Sequence, residues 1–154
     1  IGDFDNWLKS NNILFFISAH PLMEDFEDFS NCTNILYLDR SPVVDINQLL
    51  PEIDLLITDY SSIATDFMLM DRPVIYVMPD YLYYLYDFGL LEDMRVNLPG
   101  LEAENMLELQ KHIIRSLKNP QEMHSQRGRY LNKYYDVSIT DSCGNISRLI
   151  NSLV

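Results

Sequence analysis

Residues 13–17 (Ile-Leu-Phe-Phe-Ile), 35–38 (Ile-Leu-Tyr-Leu), 53–58 (Ile-Asp-Leu-Leu-Ile-Thr) and 74–78 (Val-Ile-Tyr-Val-Met) are four short runs, apolar almost throughout. A strand with one face in water alternates apolar and polar side chains. Runs like these leave no face for water, so they predict a parallel sheet covered on both sides. Helical patterning surrounds them, over residues 4–11, 46–50, 63–70, 104–117, 121–135 and 140–153. Asp45 stands at a capping position for the second of these helices, and Pro51 ends it. Residues 24–34 read as a short helix and loop, 81–88 as an aromatic loop, 95–97 as an edge strand, and Pro99-Gly100 as a turn. Strands alternating with helices predict an α/β fold: a Rossmann-like, doubly wound parallel sheet followed by a helical C-terminal tail.

Size and charge narrow the possibilities. The chain has 154 residues, 47% of them apolar, and only five glycines with no linker-like stretch, so residues 1–154 are expected to form a single domain. A net charge of −12 leaves no basic stripe for a nucleic-acid backbone, and no nucleic-acid partner is expected. A small diphosphate needs only a local nest of donors and one or two cations. Cys32 and Cys143, the only cysteines, belong to no Cys/His cluster; two free thiols and no metal site are expected. No apolar run reaches membrane-spanning length and no signal peptide is seen. The first residue is Ile1 rather than Met, and a longer parent protein is expected.

In open parallel sheets ligands sit beyond the carboxyl ends of the strands. His20, Arg40, Asp80 and the string Asp59-Tyr60-Ser61-Ser62 all fall there. That string joins a strand directly to a helix, where the first amides lack helical partners and the helix dipole favours an anion. Two readings stay open for it: Ser62 caps the helix and Ser61 bonds the loop, or both serines and the amides hold a phosphate. His20, before Pro21, is either a loop histidine or a group for proton transfer or phosphate contact. Asp66, one turn past Ser62, orients a loop, holds Arg72, or is solvated. Arg72 either satisfies helix-end carbonyls or touches a ligand. The tyrosine-rich run 81–86 could stack on a base, rest on a membrane surface or cover the sheet, and is read first as an aromatic lid over the core; His112 and His124 read as surface residues.

The string Asp54-Leu-Leu-Ile-Thr-Asp-Tyr-Ser-Ser-Ile63 resembles the signature of the CDP-glycerol glycerophosphotransferase family, the teichoic acid primases and polymerases. His20-Pro21, Asp66-Phe67, the run from Arg72-Pro73 to Tyr76, Asp80, Pro99-Gly100 and Gly144-Asn145 with Arg148 resemble other pieces of that family in the same order. Two basic positions common in the family differ: Ser18 precedes the histidine, and Asp87-Phe88-Gly89-Leu90-Leu91 replaces an Arg-Gly-aromatic stretch. The resemblance implies the C-terminal, donor-binding domain of a two-domain GT-B enzyme, with a missing N-terminal acceptor half and no activity in isolation. It implies CDP-glycerol or CDP-ribitol as donor and no further cofactor. The acceptor would be a polyol-phosphate or glycan-lipid of a cell-wall or capsule polymer. His20 is then expected as the catalytic residue, as phosphate contact or as acid/base. Asp59, Tyr60, Ser61, Ser62, Asp66 and Arg72 are expected to bind the donor. A cytoplasmic location is expected, peripheral at the inner face of the membrane. Two rivals stay open: a GT-B nucleotide-sugar transferase or epimerase, and a non-catalytic nucleotide-binding scaffold.

Overall fold

A computed structural model describes residues 1–18, 29–38, 46–89, 94–135 and 141–153. The chain divides into two compact units, Ile1–Pro51 and Glu52–Val154. Each is a mixture of helices and parallel strands.

In the first unit, helix α1 (Gly2–Ser10) stops at Asn11, whose side chain donates to the Trp7 carbonyl, and at Asn12, which turns left-handed with φ 56°. Strands β1 (Phe15–Ile17) and β2 (Ile35–Tyr37) pair in parallel with Phe15 opposite Ile35. Asp5 ties the helix to the sheet: its carboxylate accepts from the amides of Thr33 at 3.1 Å and Asn34 at 2.8 Å. Asn34 in turn donates to the Ile13 carbonyl at 2.9 Å. These bonds outweigh the cost of burial and hold the Asp5 carboxyl below the usual carboxylate range. Leu8 is fully buried, and Phe4 meets Phe15 edge to face. The short helix α2 (Ile46–Leu49) runs into a 3₁₀ turn, Leu50–Glu52.

The second unit carries the larger core. Strands β3 (Leu56–Thr58), β4 (Val74–Tyr76) and β5 (Leu101–Glu102) form a parallel sheet in that order, with Leu56 opposite Val74 and Ile75 opposite Leu101. Central β4 is buried at every residue, as its uniformly apolar sequence requires. Helix α3 (Ile63–Met68) contributes Phe67 and Met68 to the core, both fully buried. Each such side chain contributes about 2 kcal/mol by leaving water. Helix α5 (Met106–Lys118) brings Ile113. Its start is a capping box: Asn105 accepts from the Glu108 amide, and the Glu108 carboxylate accepts from the Glu104 amide. Helices α6 (His124–Tyr134) and α7 (Ser142–Leu153) follow.

Two sequence expectations are corrected here. The aromatic segment 81–88 is not a loop: Tyr81–Tyr84 is a helical turn, α4, continued by a π-helical turn over Leu85–Gly89. Tyr81 faces inward and Leu82 and Tyr83 outward, so the run obeys a helical period that a stretch of aromatics conceals. The edge strand is not at 95–97, which is a 3₁₀ turn (Met94–Asn97), but at β5, after Pro99-Gly100. Gly100 makes that pairing possible, because a Cβ there would lie 2.2 Å from the Val74 carbonyl oxygen. Both cysteines are free thiols, and His124 is exposed, as expected. Asp45 and the segment 24–28 lie outside the described residues.

Candidate functional site

The Asp59–Ser62 turn sits where β3 gives way to α3. Asp59 shapes it: its Oδ1 accepts from the Ser61 amide at 3.1 Å, an Asx turn that bends the chain at the sheet edge. Tyr60 is fixed from two sides. Its hydroxyl donates to Asp80 Oδ1 at 2.8 Å, and its ring stacks on Tyr84 with centroids 3.9 Å apart and planes 12° from parallel. Burial, then the neighbouring Asp80 carboxylate, push the Tyr60 phenol far above its ordinary value, so it acts as a hydrogen-bond donor and not as a base.

The first turn of α3 is tighter than the sequence suggests. The Ala64 and Thr65 amides bond back to the carbonyls of Ser61 and Ser62, at 3.3 and 2.9 Å, in a 3₁₀ pattern. The Ile63 amide reaches Ser61 Oγ only at 3.5 Å. Most of the helix-start amides expected to be open are therefore spent within the protein. Ser62 is different. It is already helical (φ −63°, ψ −15°) and its side chain makes no capping bond. Its amide and hydroxyl carry no partner among the described residues.

Ser61 and Ser62 open onto a cavity of about 880 Å³, with the Tyr60–Tyr84 stack on one side and Tyr76 also on its wall. The Tyr76 hydroxyl is fully buried and has no hydrogen-bond partner among the described residues. Across the same cavity lie Gln126, Arg129, Tyr130 and Lys133 of α6. Arg95 also lines it, donating to Glu102 and lying 4.3 Å over the Tyr81 ring. No aspartate or glutamate lines the cavity among the described residues, in a chain with 23 acidic and 11 basic side chains.

Helix α6 is held at one end to the turn after α3 and at the other to α3 itself. Arg127, 1% exposed, donates from Nε to Asp71 Oδ1 at 2.9 Å and from its terminal nitrogen to the carbonyls of Asp71 and Pro120. His124 Nδ1 lies 2.7 Å from the other Asp71 oxygen. At the far end the Tyr135 hydroxyl donates to Asp66 Oδ1 at 2.8 Å; burial, then that carboxylate, push the Tyr135 phenol up to about 12.

The predicted residues therefore separate by task. Tyr60, Ser61 and Ser62 share the cavity, and Asp59 shapes their turn without lining it. Asp66 is bonded by Tyr135, and Arg72 donates to the Ile53 carbonyl at 2.6 Å; neither lines the cavity. His20 and Arg40 lie outside the described residues. Arg129 and Lys133 were not singled out from the sequence. Their signal was present: positions 126, 129, 130 and 133 of a helix fall on one face. Among the described residues no cluster of His, Cys, Asp and Glu is arranged for a metal ion, and no helix is long and apolar enough to cross a membrane.

Comparison with known proteins agrees across almost the whole chain. Teichoic acid poly(glycerol phosphate) polymerase of Staphylococcus epidermidis is 28% identical over 157 residues, 99% of this chain and 21% of that protein. The Bacillus subtilis protein of the same name is 35% identical over 91 residues, 58% of this chain and 12% of that protein. Among solved structures, the wall teichoic acid polymerase TagF superposes with a TM-score of 0.61 at 28% identity, covering 98% of this chain and 36% of that one. A histidine variant of TagF soaked with CDPG matches equally well, at a TM-score of 0.61. The chain thus spans about a quarter or less of the curated relatives' length and about a third of TagF's. The profile of the family described as CDP-Glycerol:Poly(glycerophosphate) glycerophosphotransferase matches residues 3–152, and the chain belongs to that family.

Proposed function

We propose that this chain is the donor-binding domain of a transferase that moves a polyol phosphate from a CDP-activated polyol to a cell-wall polymer, releasing CMP. CDP-glycerol is the first candidate donor and CDP-ribitol the second; the acceptor is a polyol-phosphate chain or a glycan-lipid. The observation that carries this reading is the Ser61–Ser62 turn, whose second serine has no partner for its amide and hydroxyl among the described residues and faces a cavity large enough for a nucleotide. Parallel sheets and the match to TagF over 98% of the chain support a Rossmann-like domain, the C-terminal half of a GT-B enzyme. Residues 1–154 then act as one domain of a larger protein, at the inner face of the membrane where a cytoplasmic nucleotide donor meets a growing polymer.

In this reaction an acceptor hydroxyl oxygen attacks the donor's β-phosphorus. The bond from that phosphorus to the bridging oxygen breaks, CMP leaves with the electron pair, and the hydroxyl proton passes to a base. Such chemistry depends on positioning and on stabilising charge on phosphoryl oxygens. Ser61 and Ser62 supply donors to the diphosphate, Asp59 and Tyr60 hold their turn, and Asp66 and Arg72 hold the elements behind it. His20 contacts phosphate as an imidazolium, leaving acceptor activation to the other half. Changing Ser61 and Ser62 together to alanine in the full-length protein should lower CMP release from CDP-glycerol by about a thousandfold, with folding intact. Turnover near the parental rate would reject the assignment. A UDP-sugar consumed in preference to CDP-glycerol would point to a sugar transferase instead.

A further inference from the structure

Tyr76 ends β4, the buried central strand, and is itself fully buried. Its carbonyl is used, accepting from the Ala103 amide at 2.9 Å. Its hydroxyl is not. Among the described residues it is the one buried side-chain nitrogen or oxygen without a hydrogen-bond partner. The ring packs directly on the Gly100 backbone, where a Cβ would lie 3.1 Å from Tyr76 Cε2, so it has little freedom to swing toward water. Burial, and to a lesser degree the neighbouring Tyr130, push the phenol far above its ordinary value. It therefore keeps its proton and is available as a hydrogen-bond donor. An unmet buried donor costs stability, and a phenylalanine would fill the same space without that cost. A hydroxyl in this position calls for a partner from outside the chain.

We infer that the Tyr76 hydroxyl is a further binding group for the linked phosphates of the nucleotide substrate, reached from the cavity directly or through one water that the substrate holds; this rests on the donor reading above. Position supports it. Tyr76 stands opposite Thr58 in the parallel register, and the Val77 amide donates to the Thr58 carbonyl at 2.9 Å. Tyr76 thus lies beside the strand end from which the Asp59–Ser62 turn departs, at the carboxyl edge where open parallel sheets bind ligands. Tyr76, Ser61 and Ser62 line one cavity, and no carboxylate among the described residues lines it to repel a phosphate. A phenol donating to a phosphate oxygen makes a charge-assisted bond, stronger than one between neutral groups. The hydroxyl that weakens the empty protein then strengthens the filled one.

Two measurements on the full chain test this: calorimetric titration with CDP-glycerol and, separately, cytidine, and thermal unfolding without ligand. Tyr76→Phe should weaken CDP-glycerol binding about tenfold and leave cytidine unchanged. The same variant should melt about 3 °C higher than the parent when empty. Opposite signs are the signature, because a hydroxyl bonded within the fold would lower the midpoint on removal. Tyr86→Phe, at an 80% exposed tyrosine outside the cavity, should move neither quantity. An empty Tyr76→Phe protein melting at or below the parent would show that the hydroxyl is already satisfied, and would overturn the inference. CDP-glycerol affinity within twofold of the parent in Tyr76→Phe, where Ser61→Ala with Ser62→Ala loses it, would also overturn it and leave the donor reading standing. Equal losses for cytidine and CDP-glycerol would place the hydroxyl at the nucleoside and overturn the phosphate assignment. A parent chain with no saturable CDP-glycerol binding would overturn both readings.

Discussion

Replacing Arg127 by methionine removes the anchor of α6 while filling much the same volume. Three acceptors then lose a partner: Asp71 Oδ1 at 2.9 Å, the Asp71 carbonyl at 3.1 Å and the Pro120 carbonyl at 3.0 Å. Breaking a buried ion pair from one side costs about 3 to 5 kcal/mol. Asp71 remains 36% exposed, so water takes over part of its side and the lower figure applies. A loss of about 3 kcal/mol should lower the thermal midpoint by about 10 °C in a chain of this size. Arg127→Lys keeps the charge without the planar fork and should lose about 2 kcal/mol. Asp71→Asn is the informative partner. Asp71 sits at φ 52°, a conformation asparagine tolerates, so the change removes charge without new backbone strain. Urea unfolding of both singles and the double should give a coupling energy of at least about 1 kcal/mol. A methionine variant melting within about a degree of the parent, or a coupling near zero, would refute the anchoring argument.

At Gly100, alanine would place a Cβ 2.2 Å from the Val74 carbonyl oxygen, a backbone atom that cannot swing aside. Gly100→Ala should cost at least about 3 kcal/mol in urea unfolding; a loss below about 1 kcal/mol would show that β5 shifts freely. Acid stability should depend on two carboxylates. The Asn34 and Thr33 amides hold Asp5 below its ordinary value; at Asp71, burial raises the carboxyl and the bonds from His124 and Arg127 outweigh it. A depressed carboxylate stabilises the fold above its unfolded value, and that contribution disappears as pH falls through the folded one. Asp5→Asn should therefore flatten the acid limb of a melting-temperature profile below about pH 4 and leave neutral-to-alkaline pH dependence alone. An unchanged acid limb would count against the Asp5 tie.

The strands were readable because burial on both faces writes itself as an uninterrupted apolar run, and β4 bears this out residue by residue. The Asp59–Ser62 turn was readable for a related reason: a polar string between strand and helix has few places to go but the sheet edge. What stayed hidden was set by contacts distant in sequence. Asp66 and Arg72 looked available to a ligand, yet their partners, Tyr135 and the Ile53 carbonyl, lie 69 and 19 positions away. The tight first turn of α3, which uses amides a longer helix would leave open, has no sequence signature apart from the packing of Ala64 and Phe67 beneath it. The face of α6 was computable from its spacing, but nothing in the sequence said which side would meet the serines.

The Tyr60–Tyr84 stack carries a consequence for anything flat that enters. Each ring already covers one side of the other, so a flat ligand entering the cavity cannot lie between them while the stack holds. Because the Tyr60 hydroxyl is leashed to Asp80, opening the pair to admit a base between the rings would forfeit both the overlap and that bond. If the proposed nucleotide donor binds here, discrimination among bases would come from their edges rather than from intercalation between these two rings.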